Sequence, residues 1–290
     1  MPAHMNRWIG WGIGVAAVTL LSLAGCNKDS DDASKKVASK SNVQVEIKKD
    51  NLGKSIQGQT TALVKAEKLP TFKQAVILDP APEGEMQPPE MTHTGKNAVK
   101  IFETIANGLW DQITFVNNDG KPIQYRAVIA TDVGDIHVEL LGQHAPNHVR
   151  NFICLAKSHY YDGMSFYYSL NRKVEDANIA YIETGCPRGT GERGSGSIGY
   201  WLKPEISDKL THDAGVLGAS LGEDPESAAC RFYVTAQANP YMDGNFTIFG
   251  RVTKGLDVVR TINKRPVGEF DRLVQPVVIR SVSIERTVLD

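Results

Sequence analysis

Two consecutive stretches, Val128-Ile-Ala-Thr-Asp-Val-Gly-Asp-Ile-His-Val-Glu-Leu140 and Ala145-Pro-Asn-His-Val-Arg-Asn-Phe-Ile-Cys-Leu-Ala-Lys157, decide how this chain is read. The second is a helix signature: Pro146 has the fixed φ that suits a first helical turn. Val149, Phe152, Ile153 and Ala156 then face inward on a helix running to about Ser158. Upstream, Ile113-Thr-Phe-Val116, the turn residues Asn117-Asn-Asp-Gly120 and Ile123-Gln-Tyr-Arg-Ala-Val-Ile129 read as a hairpin. Downstream come short strand-like runs separated by turn residues. Leu256, Val258, Val259 and Ile262 then recur at helical spacing over residues 255–262. Many short strands with two helices fit a mostly β fold, closed into a barrel and capped by helices.

The same stretches are followed, in order, by further motifs. These are Tyr160-Tyr-Asp-Gly163, Gly215-Val-Leu-Gly218, Asp224-Pro-Glu-Ser-Ala-Ala-Cys-Arg-Phe-Tyr-Val234, Met242-Asp-Gly244 and Phe249-Gly-Arg-Val-Thr-Lys-Gly255. In kind and order they resemble the cyclophilin-type peptidyl-prolyl isomerases. The resemblance implies a closed eight-stranded barrel capped by two helices over residues 124–290. It also implies rotation of X–Pro peptide bonds as the activity, no cofactor and no metal. The implied partners are proline-containing or extended polypeptide segments.

An amide rotates over a barrier of ~18–20 kcal/mol because its C–N bond has double-bond character. Lowering it takes an apolar cup for the proline ring and a positioned donor, in this family an arginine guanidinium, that favours the twisted state. Here the family's Phe-His-Arg stands as Phe166-Tyr167-Tyr168, so a tyrosine takes the guanidinium's place. Its Phe-Met-x-Gln-Gly-Gly stands as Ala180-Tyr181-Ile182-Glu183-Thr184-Gly185, and the Ala-Asn pair that receives the peptide backbone is Ser220-Leu221. Cys230-Arg231-Phe232-Tyr233 replaces Ser-Gln-Phe-Phe, Tyr241-Met242-Asp243-Gly244 replaces Trp-Leu-Asp-Gly, and Phe246 replaces the family's histidine. By this resemblance the catalytic candidates are Arg231, Glu183 and Tyr168, with Glu183 orienting the guanidinium. The peptide-binding candidates are Phe166, Tyr181, Ser220, Leu221, Tyr233, Tyr241, Met242 and Phe246. Phe232 reads as core. Residues 170–178 read as a lengthened loop, from which Arg172 is a second candidate guanidinium. Two readings stay open: a rearranged isomerase, or a non-catalytic, membrane-tethered peptide-binding or scaffold module.

The N-terminus carries a separate signal. Arg7 precedes an apolar run, Trp8 to Gly25, that ends in Leu23-Ala-Gly-Cys26. A basic start, an apolar centre and small residues at the cut describe an export signal, and the ending resembles a bacterial lipobox. Residues 1–25 are therefore expected to be a lipoprotein signal peptide and Cys26 a lipidation site. That would anchor the protein to a bacterial membrane, facing the periplasm or cell exterior. Residues 26–44 are too polar to bury much surface and read as a flexible tether. Residues 45–95 are an extension ending in a Pro-rich linker, and 96–123 an N-terminal helix (over about 96–111) and strand addition.

With 290 residues, 41% hydrophobic and 22% charged, the composition is that of a globular domain with extensions. A net charge of −1 gives no basis for a nucleic-acid partner. His144 and His148 straddle Pro146, which argues against a shared metal site and for solvated side chains. Gly189-Thr-Gly-Glu-Arg-Gly194 matches a dinucleotide fingerprint by letter, but Ser195-Gly-Ser-Ile-Gly199 after it cannot form the required helix, so it reads as a surface loop. Cys154 reads as a small buried hydrophobe, and a Cys186–Cys230 disulfide is left open.

Overall fold

A computed structural model describes residues 76–77, 86–174, 177–192 and 195–290. The elements in chain order are β1 (Val76–Ile77), α1 (Ala98–Thr104), β2 (Ile123–Thr131), β3 (Gly134–Leu140), α2 (Pro146–Lys157), β4 (Ser165–Val174) and β5 (Ala177–Thr184). After these come β6 (Tyr200–Trp201), β7 (Val216–Ala219), β8 (Phe232–Thr235), β9 (Ile248–Lys254), α3 (Leu256–Asn263) and β10 (Arg272–Val288). Eight of the strands close an antiparallel barrel in the order β10-β2-β3-β9-β7-β8-β5-β4, while β1 pairs with β6 outside it. Closure leaves none of these eight strands as a free edge.

Both helices read from the sequence form. In α2 Pro146 sits in the first turn, and Val149, Phe152, Ile153 and Ala156 are all buried. Its first amides are satisfied at long range: Glu205 Oε1 accepts from Asn147 N at 3.1 Å, and Oε2 from His148 N at 3.0 Å. A carboxylate here satisfies orphan donors and suits the positive end of the helix. The expectation that His148 is solvated is corrected. It is buried, with Nδ1 2.7 Å from Glu205 Oε2, because the carboxylate that caps the helix also receives the ring. In α3, Asn263 Nδ2 donates to the Leu170 and Tyr181 carbonyls at 2.8 and 3.1 Å, tying the helix end to β4 and β5.

The N-terminal extension departs from its expected form. A continuous helix over 96–111 is interrupted at Ile105–Leu109, where Gly108 adopts φ 127°, before a last turn at Trp110–Gln112. Val99 is exposed, while Ile101, Ile105 and Trp110 are buried. Of the hairpin expected over 113–129, the first strand forms only a single Val116–Pro122 bridge, while Ile123–Thr131 is a barrel strand paired with both β3 and β10. The expected loop at 170–178 is instead the outer end of the β4–β5 hairpin, paired up to Val174–Ala177. The segment read as signal peptide and tether, with Cys26, lies outside the described residues.

Candidate functional site

Strands β4, β5 and β8 adjoin in the barrel wall, and their residues build two clusters. The barrel core holds Phe166 and Phe232, whose rings meet edge to face at 6.3 Å. A separate cluster holds Leu170, Tyr181, Tyr233 and Met242, with Tyr168, Ile179 and Phe246 packed against it. Met242 comes from the 3-10 turn Pro240–Met242. The rings of Tyr168 and Tyr181 stack at 5.8 Å, Tyr181 and Tyr233 lie at 5.6 Å, and Phe246 meets Tyr233 edge-on at 6.0 Å. The hydroxyls of Tyr181 and Ser220 are buried without a hydrogen-bond partner.

Beside these rings lies an ion pair. Arg231 Nε and Nη2 both donate to Glu183 Oε1, at 2.9 and 2.7 Å, and the Tyr167 hydroxyl donates to the same oxygen at 2.7 Å. The side chains are only 12% and 8% exposed. Burial works against the arginine's charge, but Glu183 and Tyr167 outweigh it and hold the guanidinium above its ordinary range. Burial also pushes the Tyr167 phenol well up, so it donates as a neutral hydroxyl. The glycine-rich loop packs here: a Cβ at Gly191, which sits at φ 58°, would lie 2.2 Å from the Tyr167 ring, and one at Gly196 would lie 3.1 Å from Arg231 Cδ. Its glycines let backbone approach the buried pair closely.

A hydrogen-bonded chain supports the tyrosine cluster. Asp243 Oδ1 accepts from His212 N at 2.7 Å and lies 2.8 Å from Nδ1, while His212 Nε2 is 2.7 Å from the Tyr233 hydroxyl. A carboxylate only accepts, so Nδ1 carries the proton and the Tyr233 hydroxyl donates to Nε2.

Of the candidates read from sequence, Arg231 and Glu183 meet, and Tyr181, Tyr233, Met242 and Phe246 gather around one point. Two assignments are corrected. Phe166 faces the barrel core and is fully buried, out of a peptide's reach. Tyr168 does not join the ion pair: it stacks on Tyr181, with its hydroxyl 3.5 Å from Asp271, and the aromatic partner of Glu183 is Tyr167. Leu221 packs on the main core, Ser220 is buried and Tyr241 is exposed. Arg172 is exposed and lies 3.4 Å from Asp271, apart from Glu183. Sequence reading missed Tyr167 and His212; the Asp243 that binds His212 reads in the sequence only as part of a turn motif. Cys154, Cys186 and Cys230 are all free and buried, so the Cys186–Cys230 disulfide is not formed.

Comparison with known proteins decides the family. Residues 126–284 match the family described as cyclophilin type peptidyl-prolyl cis-trans isomerase. The chain belongs to that family. Among curated relatives, peptidyl-prolyl cis-trans isomerase-like 2 of Rhizopus delemar is 31% identical over 250 residues, covering 82% of this chain and 43% of that protein. The chain therefore spans less than half the length of that relative. Peptidyl-prolyl cis-trans isomerase-like 1 of the same fungus is 36% identical over 146 residues, covering 50% of this chain and 84% of the relative. Among solved structures, a Cryptosporidium parvum cyclophilin type isomerase superposes with a TM-score of 0.50 at 25% identity, over 56% of this chain and 98% of its own. The same relative has been solved in the presence of the dipeptide Ala-Pro. The cyclophilin barrel is thus present, with the tyrosine cluster on the wall formed by β4, β5 and β8.

Proposed function

We propose that this cyclophilin is a peptidyl-prolyl cis-trans isomerase for extracytoplasmic polypeptides, and that Arg231 supplies the donor for its rotation step. The observation that carries the reading is the buried, charged Arg231 guanidinium, oriented by Glu183, which Tyr167 in turn holds, next to an apolar tyrosine cluster. A guanidinium aimed at the amide nitrogen lowers the barrier by favouring the twisted amide, and a site shielded from water strengthens that interaction. The Ser220 hydroxyl is buried without a hydrogen-bond partner, and a peptide backbone would reach it only once the neighbouring side chains move. Ala-Pro, the dipeptide present with the Cryptosporidium relative, has the same chemistry as the substrate proposed here.

The test is isomerisation of Ala-Pro tetrapeptides. Arg231→Ala is expected to lower kcat/KM by about 10²–10³, the size of effect seen when one electrostatic donor is removed. Because that variant leaves Glu183 unpaired, Arg231→Leu/Glu183→Leu, which removes both charges, is measured alongside. A wild type at the uncatalysed rate would sink the reading. In its place would stand a non-catalytic peptide-binding or scaffold module.

The extracytoplasmic setting is part of the proposal and is supported by the Leu23-Ala-Gly-Cys26 sequence behind an apolar run. Incorporation of labelled palmitate in a bacterial host, abolished by Cys26→Ser, is the expected outcome. Label that persists in the variant, or is absent from the wild type, removes the anchor.

A further inference from the structure

The extension and the end of α2 border an open groove of about 620 Å³ that shares no residue with the tyrosine cluster. Its wall carries Lys96 and Lys100 from the extension and Lys157 and His159 from the end of α2. Ile101 and Leu109 give it an apolar side. The volume falls in the range of small-molecule sites, which pair apolar lining with a few convergent polar groups.

The charge at this groove is poorly compensated. Lys100 and Lys157 have no ion-pair partner among the described residues. The Asp162 carboxylate is occupied: it lies 2.8 Å from His159 Nδ1 and accepts from Val282 N at 3.3 Å. Lys96 donates only to neutral oxygens, the Thr94 hydroxyl and the Asp162 carbonyl. Partial burial lowers its pKa despite Asp162 nearby, so an added negative charge is favourable there.

A second observation is independent of charge. Ser158 lines the same groove, and its hydroxyl oxygen is buried with no hydrogen-bond partner. An orphaned buried hydroxyl costs about 1–3 kcal/mol, and a turn about the Ser158 Cα–Cβ bond would bring it to an acceptor bound in the groove. The end of α2 is the negative end of its helix dipole, which the lysines must outweigh, and three of its carbonyls are already engaged. Those of Cys154, Leu155 and Ala156 accept from Ser158 N, Tyr160 N and His159 N at 3.0, 2.9 and 3.0 Å.

We infer that this groove binds the phosphate group of an anionic ligand whose remainder is partly apolar. The lysines supply charge, the Ser158 hydroxyl supplies a directional donor, and Ile101 with Leu109 takes the apolar part. The site joins the extension to the barrel, so a ligand there would pin the two together.

The experiment is calorimetric titration of the full-length protein with inorganic pyrophosphate at low and raised salt. Saturable binding to one site is expected, weakening with salt and falling at least about tenfold in K100E/K157E. Both lysines are exposed, so the variant's melting temperature without ligand should stay within about 5 °C of the wild type's, the reversed charge at the end of α2 accounting for the difference. A parallel arm compares phosphatidylglycerol with phosphatidylcholine vesicles. A preference for phosphatidylglycerol that pyrophosphate competes away and the variant lacks would identify a lipid headgroup as the source. Pyrophosphate binding without that preference would identify a soluble phosphate compound. No saturable binding in either arm, or binding that the variant retains, overturns the assignment.

Discussion

Tyr233 shows how one hydroxyl rewires a barrel wall. The family resemblance places a phenylalanine there; the extra oxygen reaches His212 Nε2, and His212 in turn holds Asp243. The chain works only while His212 is neutral, because a protonated ring cannot accept from the phenol. Burial lowers the His212 pKa below 6.5, although Asp243 pulls the other way. The unfolded chain therefore takes up its proton at higher pH than the fold does. The stability held in the neutral chain is complete above about pH 6.5, the unfolded value, and is lost as pH falls through the folded one. Burial, with Lys209 and Arg251, lowers His144 in the same direction, so bulk stability cannot separate the two. Imidazole NMR can: the resonance that disappears in His212→Gln should titrate with a midpoint below 6.5 in the wild type. A midpoint above 6.5 would mean that Asp243 dominates and the phenol does not donate.

Strand ends set where Arg231 and Glu183 meet. β5 ends at Thr184, paired with Phe232 of β8, and the next residue, Gly185, has φ 94°. A Cβ at Gly185 would lie 2.2 Å from the Cys230 carbonyl oxygen, a backbone atom that cannot swing aside. Gly185→Ala therefore meets both a left-handed backbone and a clash, and is expected to cost more than about 3 kcal/mol. Urea unfolding measures it; a loss under about 1 kcal/mol would show that β5 and β8 can separate at this end. Much of this level is legible in the sequence. Pro146 and the apolar spacing of Val149, Phe152 and Ile153 sufficed for α2, and Leu256 to Ile262 for α3. The side to which Tyr167 and Tyr168 turn was not. Phe166 and Tyr168, two residues apart, lie in different clusters, which strand alternation forbids. Their partners on β10, Val277 and Arg272, are out of step across a register shift. That irregularity belongs to a strand distant in sequence, so no local pattern could reveal it. Likewise His212 gains its role only through Asp243 and Tyr233, brought together by the closed barrel.

At the scale of the whole molecule, the extension is part of the barrel's core rather than an appendage. Ala98, Ile101, Ile105, Trp110 and Ile113 belong to the same buried cluster as Phe152, Phe232 and Ile279. Arg150 of α2 donates from Nε to the Ile113 carbonyl at 2.9 Å, so the barrel helix is hydrogen-bonded to the extension as well as packed against it. A seven-residue helix such as α1 is too short to hold its shape alone and takes its stability from that packing. Extension and barrel should then unfold together. Trp110→Ala, which empties a fully buried indole site, is expected to cost about 3–5 kcal/mol. At roughly 2–4 °C per kcal/mol for a protein of this size, the melting temperature should fall by roughly 10 °C, in a single calorimetric transition for both proteins. A second, earlier transition in the variant, with the barrel's own melting unmoved, would show that the extension is an independent layer, and would weaken the groove that it shares with α2.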